Sequence, residues 1–276
     1  MNKLIKYFVV LLLVPVLASC GGSEAPKVEM EFDETDTATA VIIEELHHVK
    51  KNLEELIQFY GLLKTKNYPF DDSYLLGMDH PLGSKQKEAL ALGAYGADMS
   101  YSSIFDQSQV ATKYAERIVR LAQDMGLGNA FSADRMNILA SSDPDVNKMH
   151  ILTAAYLDAT DQLHSEERSQ YVALLIAGGW MEGLHISSTL VANKPGDPEI
   201  NLDVYDQIYS YHTSLKVLDA FPDKADCKTI ADELRANEPT FKELLSTRGN
   251  LSPRDMRELN EMMLRIRNGF LGLGEQ

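Results

Sequence analysis

The sequence VALLIAGGWMEGLHISSTLV at residues 172–191 decides the fold, because nearly every position in it is apolar or small. A helix without a continuous polar face is buried on all sides. A second stretch of this kind, ALALGAYGA, occupies residues 89–97. We therefore expect two buried central helices with the remaining helices packed around them. Glycines in both stretches indicate that the two backbones approach closely: Gly93, Gly96, Gly178, Gly179 and Gly183.

Helical periodicity continues outside these two stretches. Between residues 42 and 63, apolar side chains recur with alternating spacings of four and three, which is typical of a helix that packs along one side. No segment shows the two-residue alternation of a half-buried strand. The sequence therefore predicts an all-α fold, a multi-helix bundle of about eight or nine antiparallel helices.

Capping residues indicate where several of these helices begin. A Ser, Thr, Asp or Asn side chain ahead of an apolar helical run accepts a hydrogen bond from the first turn of the helix. The helix after residue 197 is expected to continue without a break until Pro222. By the capping rule, helices start at Ser84, Asp106, Ser165, Asp197 and Ser252.

Residues 67–83 interrupt the helical pattern, with Pro69, Gly77 and Pro81 spread along them. A loop of this length in a compact domain often carries function. The same segment is equally well explained as an ordered cap over one end of the bundle, with its aromatic side chains in the core. Both interpretations stay open on the sequence alone.

The two apolar stretches align with each other at a fixed offset. GAY at residues 93–95 aligns with GGW at residues 178–180, and YSS at residues 101–103 aligns with ISS at residues 186–188. This similarity favours two related helical units, residues 37–142 and 143–250, followed by a C-terminal helix at residues 253–270, within one domain of residues 37–276. The alternative is that any two crossing buried helices need small residues and an aromatic filler.

The N-terminus resembles the export signal of a bacterial lipoprotein. Lys3 and Lys6 precede an apolar run at residues 7–16, and LAS at residues 17–19 precedes Cys20. The run is shorter than the roughly 20 apolar residues of a membrane-spanning helix. The resemblance implies cleavage of residues 1–19 and attachment of a lipid to Cys20. Gly21, in place of the Asp associated with retention at the inner membrane, favours the outer membrane.

Acidic residues dominate the segment that follows and the chain as a whole. The net charge is −15 at pH 7, and loss of residues 1–19 removes two lysines as well. No basic run offsets this charge, so the sequence offers nucleic acid no electrostatic footprint. Residues 20–36 contain few large apolar side chains, which predicts a flexible tether between the lipid and the folded domain.

Three ionisable residues lie within or beside the apolar stretches and are the first candidates for a site. Asp98, Glu182 and His185 occupy helices that are too apolar to keep them in bulk water, and buried charges must be paired or neutralised. Tyr95 and Tyr101 lie at helical spacing from Asp98 and are candidates for the same network. The residues form either a structural polar network or a small-ligand or acid-base site with shifted pKa values.

Glu182 and His185 also have the Glu-x-x-His spacing of di-iron carboxylate bundles. That class requires a second pair of this kind on a facing helix. The only similar pairs, within residues 44–48, fall at or beside the polar face of their helix. A metal site at Glu182 and His185 would lack half of its ligands, so we expect no metal and no cofactor other than the lipid on Cys20.

Two further side chains are unusual because each type occurs only once in the chain after Cys20. Trp180 is the only tryptophan, and it either fills the core or stacks on a ligand. Cys227 is the only cysteine beyond Cys20, and it shares a helical face with Ile230 and Leu234. This pattern predicts a buried, unreactive thiol.

Two segments carry a resemblance to a known group of proteins. LGAYGADMSY at residues 92–101 and GGWMEGL at residues 178–184, together with Tyr114 and residues 121–127, resemble uncharacterised all-helical lipoproteins of the Bacteroidota. The likeness covers most of the chain after the signal. It implies an all-helical fold and a lipid-anchored location in the cell envelope, and it implies no activity.

The sequence favours a lipid-anchored envelope protein that binds or scaffolds an envelope protein or a small ligand. The alternative is a metal-binding or acid-base enzyme centred on Glu182, His185 and Asp98. Familiar catalytic signatures such as G-x-S-x-G and H-E-x-x-H are missing from the sequence. An active site predicts an open pocket with carboxylates next to the imidazole, whereas a binding module predicts that neighbours satisfy these groups.

Lipid attachment can be tested at Cys20. We predict that Cys20→Ala abolishes incorporation of an alkyne-labelled fatty acid into the protein in the bacterium, because the acceptor sulfur is lost. Cys227→Ala is the matched control, and we expect it to be labelled like the wild type. Labelling that persists in Cys20→Ala would contradict the assignment of the lipid to this residue.

Overall fold

Helices account for all regular secondary structure in the part of the chain that the structure describes. The computed structural model describes residues 37–141, 143, 148–165 and 168–273, and no strand occurs among them. The predicted all-α multi-helix bundle is confirmed. The helices are α1 (Thr37–Thr65), α2 (Lys85–Ile104), α3 (Ser108–Asp124), α4 (Ala133–Ala140), α5 (Lys148–Ser165), α6 (Gln170–Asn193), α7 (Pro198–Tyr209), α8 (Tyr211–Asp219), α9 (Ala225–Ala236), α10 (Glu238–Ser246) and α11 (Pro253–Leu271).

The helices α2 and α6 form the centre of the bundle, as their sequences predict, and most of their side chains are buried. Their backbones touch at two glycines. A β-carbon on Gly93 would lie 2.0 Å from the carbonyl oxygen of Leu175, and one on Gly178 would lie 2.0 Å from the carbonyl oxygen of Leu90. Only glycine fits at these two positions.

The two central helices run in the same direction. Gly93 lies against Gly179, and further along both helices Asp98 hydrogen-bonds to Glu182. The antiparallel arrangement expected from the sequence holds for some neighbours, such as α3 and α11, but α1 runs in the same direction as α2, since Tyr60 and Lys64 contact Tyr101 and Asp106 in that order. It does not hold for α2 and α6 themselves. The reason is that α3, α4 and α5 return the chain before α6 begins.

The helices α3 and α11 pack antiparallel to the central pair. Lys85 at the start of α2 donates to the carbonyl of Asp124 at the end of α3, at 3.0 Å. Thr189 near the end of α6 contacts Asn260 in the first half of α11. The predicted seam of α1 faces the same core, with Ile42, Val49, Leu56, Tyr60 and Leu63 buried and Leu46 and Leu53 partly buried.

Three of the expected helix starts are confirmed. The side chains of Ser84, Asp197 and Ser252 accept hydrogen bonds from backbone N–H groups in the first turns of α2, α7 and α11. At Ser252 the bond is reciprocated, because the backbone N–H of Ser252 donates to Asp255 at 2.7 Å. Each of these helices therefore begins with at least one backbone N–H of its first turn already satisfied.

Two expected starts are wrong. Asp106 has φ +60°, whereas a capping residue needs an extended backbone; it terminates α2 by donating its N–H to Ser103, and α3 begins at Ser108. Ser165 is the last residue of α5, and α6 begins at Gln170. The helix expected to run unbroken from residue 197 is divided into α7 and α8 at Ser210.

The segment at residues 67–83 is an ordered cap. Tyr68, Leu75, Leu76 and Leu82 are buried in the main core, and the ring of Phe70 stacks on Tyr101 with centroids 5.0 Å apart. Residues Asp72–Tyr74 form a short 3-10 helix. The loop therefore covers the ends of α2 and α6 with its own apolar side chains, which is the second of the two sequence interpretations.

Contacts at the crossing of α2 and α6 are reciprocal. Gly93 meets the carbonyl of Leu175, and Gly178 meets the carbonyl of Leu90, so each contact maps onto the other by the sequence offset that relates GAY to GGW. This symmetry supports the predicted repeat at its centre. The flanking helices are less alike, since α1 has 29 residues and α5 has 18, and the two-unit repeat stays a prediction.

All the described helices belong to one compact unit, Glu34–Gln276. Its core is built from its own side chains, so we expect this unit to fold when it is produced without the preceding residues. The signal, Cys20 and the whole acidic tether at residues 20–36 lie outside the described residues. Among the helices of the described ranges, none has the length and apolar character to cross a membrane.

The glycine crossing makes a direct prediction. We expect Gly178→Ala to lower the free energy of unfolding by about 3 kcal/mol or more, because the new methyl group would overlap the backbone of Leu90. Gly96→Ala is the matched control in a central helix, since a β-carbon there meets nothing within 4 Å. It should raise stability by about 0.5–1 kcal/mol through helix propensity. Urea unfolding of both variants measures the difference, and similar effects would contradict the backbone contact.

Candidate functional site

A buried charged centre lies where α2, α6 and α11 meet. Asp98 comes from α2, Glu182 and His185 come from α6, and Arg267 comes from α11. The exposed fraction is 0% for Asp98 and Glu182, 5% for His185 and 7% for Arg267. The centre is therefore removed from water, and its groups depend on one another for compensation.

Glu182 and Arg267 form the strongest contact in this centre. The Arg267 Nε donates to one carboxylate oxygen of Glu182 at 2.7 Å, and Nη2 donates to the other at 2.8 Å. Two parallel hydrogen bonds of this kind fix both the charge and the orientation of the carboxylate. Both oxygens of Glu182 are thus engaged by the guanidinium.

Asp98 adds a second carboxyl group to the same centre. Burial raises the pKa of Asp98 well above its ordinary value, and the neighbouring Glu182 carboxylate raises it further, against the opposing effect of Arg267. Burial also raises the pKa of Glu182, but the Arg267 charge and the hydrogen bond from Asp98 lower it. We conclude that Asp98 keeps a proton and donates it to an ionised Glu182, so one cation balances one anion.

His185 lies one helical turn after Glu182 and is neutral. Burial, together with the charge of Arg267, lowers the pKa of His185 to about 3, while a hydrogen bond to the Tyr74 backbone acts in the opposite direction. Its Nδ1 has no hydrogen-bond partner among the residues that the structure describes. His185 is therefore a neutral neighbour of the ion pair rather than a second cation.

The loop at residues 67–83 covers the buried charged centre and hydrogen-bonds to it. The Leu76 N–H donates to Asp98 at 3.3 Å, and the Leu76 carbonyl accepts from the Tyr114 hydroxyl at 2.9 Å. Arg267 Nη2 donates to the carbonyl of Tyr74 at 3.4 Å. Backbone groups of the loop thus complete the hydrogen bonds of the charged side chains beneath it.

The structure brings together only part of the set predicted from the sequence. Tyr95 and Tyr101 hydrogen-bond to the loop, Tyr95 to the Gly77 carbonyl at 3.3 Å and Tyr101 to the Asp71 N–H at 3.1 Å. They support the cap and make no hydrogen bond to Asp98 in the described part of the chain. The expected pairing of Glu182 with His185 is replaced by the contact of Glu182 with Arg267.

Arg267 is the residue that sequence reasoning missed. It follows Met263 by one helical turn and precedes Phe270 by another, so it occupies the apolar seam of α11. A charged residue at a core-facing position of a seam was the available signal. Within residues 44–48 the structure also differs from expectation, because Glu45 is buried and pairs with Lys216.

The metal hypothesis finds little geometric support. Glu182 is held by Arg267, and across residues 37–141, 143, 148–165 and 168–273 no three His, Cys, Asp or Glu side chains are grouped to hold a metal ion. Cys227 is buried as predicted, and burial raises the pKa of its thiol to about 12. This thiol is therefore protonated and poorly nucleophilic.

A separate cleft opens beside Trp180. It lies between α1, α5, α6, α7 and α8, and its volume is about 500 Å³ including the part open to solvent. The indole N–H of Trp180 donates to the backbone carbonyl of Gln207 at 3.1 Å, which fixes the ring. The cleft is lined by Val49, Asn52, Leu53, Leu56, Tyr156, Ile176, Gly179, Trp180, Gly183, Leu184, Gln207, Ser210, Thr213 and Ser214.

Fold and site together define an architectural class: an all-α bundle whose parallel central helices enclose a carboxyl–arginine centre beside a small apolar cleft. The chain matches no protein-family model, and no curated protein or solved structure is significantly similar to it. Its function has to be inferred from the geometry of the site itself.

The ion pair predicts an asymmetric response to substitution. We expect Arg267→Met to lower the free energy of unfolding by about 3–5 kcal/mol, because Glu182 is left buried without a cation. The double variant Glu182→Met, Arg267→Met should recover much of this loss, since no lone charge remains. Lys228→Met, which removes an exposed pair with Asp232, should cost less than about 1 kcal/mol. If Arg267→Met and Lys228→Met lowered the free energy of unfolding equally, that result would contradict the buried pairing of Arg267.

The pKa directions predict how stability varies with pH. Folded His185 stays neutral down to a pH of about 3, while the unfolded chain binds a proton at this residue below about pH 6.5. Lowering the pH therefore favours unfolding, by up to about 1.4 kcal/mol per pH unit. Stability of His185→Gln relative to the wild type should rise as the pH falls from 7 to 4.

Asp98→Asn is the matched variant, and its stability relative to the wild type should change with pH in the opposite direction. Folded Asp98 keeps its proton above the ordinary carboxyl range, whereas the unfolded chain releases it. The wild type therefore loses stability relative to Asp98→Asn as the pH rises through that range. Denaturant midpoints measured across pH would reveal both trends, and parallel curves for the three proteins would contradict them.

Proposed function

We propose that this chain is a lipid-anchored protein of the bacterial cell envelope that acts as a binding module. A lipid on Cys20 attaches it to a membrane, and Gly21 after the cysteine favours the outer membrane. Residues 20–36 serve as the tether. The partner is an envelope protein or a small ligand, and the net charge of −15 argues against nucleic acid as a partner class.

One observation carries the choice of a binding module over an enzyme. The ionisable candidates are sealed from solvent, with Asp98 and Glu182 fully buried, while Trp180 borders an open cleft. An acid-base site needs its carboxylates within reach of substrate. A binding site needs a concave, mostly apolar surface on a rigid scaffold, and the cleft beside the central helix α6 has this character.

The sealed centre supports binding indirectly. It locks α2, α6, α11 and the loop at residues 67–83 to one another through charge and hydrogen bonds. Trp180, Gly179 and Gly183 belong to the same α6 and form one wall of the cleft. A wall held in place in this way costs little conformational entropy on binding.

Photo-cross-linking in the living bacterium tests this proposal. A photoreactive amino acid replaces Thr213 at the cleft in the full chain, and a second strain carries it at Thr229 on α9, which is exposed and outside the cleft. We expect light to produce an adduct of defined mass from the Thr213 position that is missing from the Thr229 position.

A cleft-filling variant supplies the control. Leu53 lines the cleft, and Leu62 on the same helix does not. Leu53→Phe should reduce the adduct strongly, while Leu62→Phe should leave it unchanged. Adducts that are equal at both reporter positions, or an adduct that survives Leu53→Phe undiminished, would argue against a function at the cleft.

A further inference from the structure

We infer that α3 carries a second binding site, centred on Arg117, which takes a phosphate monoester group. No residue of α3 lines the Trp180 cleft in the described ranges, so this inference goes beyond the proposed function and does not depend on it. It rests on a fixed guanidinium that has no counter-charge, on two neighbouring cations, and on the number of charges and oxygens that they can bind.

Neutral groups hold Arg117 in place. Its guanidinium carbon lies 5.7 Å from the centre of the Tyr95 ring, and the Tyr95 hydroxyl donates to the Gly77 carbonyl at 3.3 Å. Burial raises the pKa of Tyr95, while a hydrogen bond from Arg117 acts in the opposite direction. Because Tyr95 is fully buried, its ring and hydroxyl give the guanidinium a fixed support.

The outer end of this guanidinium is open to solvent. Its Nε is enclosed and has no hydrogen-bond partner within the described residues, but Arg117 as a whole is only half-buried. A β-carbon on Gly77 would meet nothing within 4 Å, so the adjoining part of the loop is open as well. A ligand therefore meets the Nη groups of Arg117 rather than its Nε.

Arg117 has no anionic partner, although the chain contains 41 acidic residues and 26 basic ones. It forms no ion pair with any carboxylate of the described residues. Arg135 and Arg235 show the contrasting situation, since each of them pairs with an aspartate. A guanidinium that is already fixed loses little entropy on binding an anion, and it gains the charge balance that it lacks.

Two further cations lie on the same side of α3. Lys113 precedes Arg117 by one helical turn and Arg120 follows it by one turn, which places neighbouring β-carbons about 5–6 Å apart. Both are exposed, and neither forms an ion pair in the described part of the chain. Glu116 lies on this side as well and forms no ion pair with any of the three. Three positive charges less one negative charge leave a local charge of +2.

This arrangement selects a phosphate monoester over other oxyanions. A carboxylate or a phosphodiester carries one negative charge and two terminal oxygens, whereas a phosphate monoester above a pH of about 6 carries nearly two charges and three oxygens. Three cationic side chains with a local charge of +2 match the monoester in both respects. The net charge of the whole chain acts weakly here, because salt at about 0.15 M screens charges beyond about 8 Å.

The helix α11 offers a matched comparison. Arg257, Glu261 and Arg265 follow one another at spacings of one turn, and none of them forms an ion pair within the described residues. Both arginines are exposed, and neither lies over an aromatic ring of the described residues. This row has similar charges without a fixed guanidinium, so it serves as the control for the site at Arg117.

Binding can be measured by NMR titration of the purified Glu34–Gln276 unit at pH 8 and constant ionic strength. The probes are methyl phosphate, dimethyl phosphate and acetate. The enclosed Nε–H of Arg117 is protected from exchange with water, so its resonance reports on the site together with the amides of α3. We expect methyl phosphate to shift these resonances saturably, with a dissociation constant about ten-fold lower than that of either other probe.

Variants on the two helices locate the site. Arg117→Gln should raise the dissociation constant of methyl phosphate about ten-fold, and Arg117→Lys should raise it less, because lysine keeps the charge without the planar fork. Glu116→Gln should lower it about two-fold by removing the negative charge of the group. Arg257→Gln and Glu261→Gln, the matched changes on α11, should leave it unchanged. Thermal unfolding of each variant verifies that it is folded.

The inference is overturned if none of the probes shifts the α3 resonances, or if acetate binds as tightly as methyl phosphate. Equal binding of dimethyl phosphate would indicate a phospholipid diester and would also overturn it. The same holds if Arg117→Gln leaves the dissociation constant unchanged, or if Arg257→Gln raises it as much. None of these outcomes bears on cross-linking at the Trp180 cleft, so failure of this inference and failure of the proposed function are distinguishable.

Discussion

Contact between the backbones of α2 and α6 is the constraint on which the rest of the structure depends. Because Gly93 and Gly178 carry no side chains, the two helices approach until each meets a carbonyl of the other. Such an approach leaves no channel for water between them. It also brings Asp98 and Glu182 to the same level in a region where two negative charges cannot coexist.

The charged centre avoids two neighbouring negative charges at this position. One carboxyl group keeps its proton, the other pairs with Arg267, and the loop at residues 67–83 supplies backbone groups for the remaining hydrogen bonds. Burial alone would make such a centre unfavourable, since desolvation of ions can exceed their attraction. Its evident benefit is specificity, because α11 and the loop can dock only in the register that satisfies Asp98, Glu182 and Arg267.

Sequence patterns predicted features that depend on neighbours along the chain. The seam of α1, the caps at Ser84 and Ser252 and the burial of Cys227 all follow from residues within a few positions of one another. The cap assigned to Ser165 failed because residues preceding α6 are fixed partly by distant groups, as when Arg168 donates to the carbonyl of Met125. The sequence could not predict the partner of Glu182 for the same reason, because Arg267 is separated from it by 85 positions. Trp180 was recognised as a candidate, but its cleft is assembled from five helices and leaves no local trace in sequence.

The position of Arg267, 85 residues after Glu182, has a consequence for the order of folding. During synthesis α11 emerges after α2 and α6, so these helices can form while their core still contains Asp98 and Glu182 without a cation. Such an intermediate pays the cost of a buried, unpaired carboxylate and cannot reach full stability until α11 docks. A core that is completed only when α11 docks therefore delays full compaction until the chain has been made as far as residue 271.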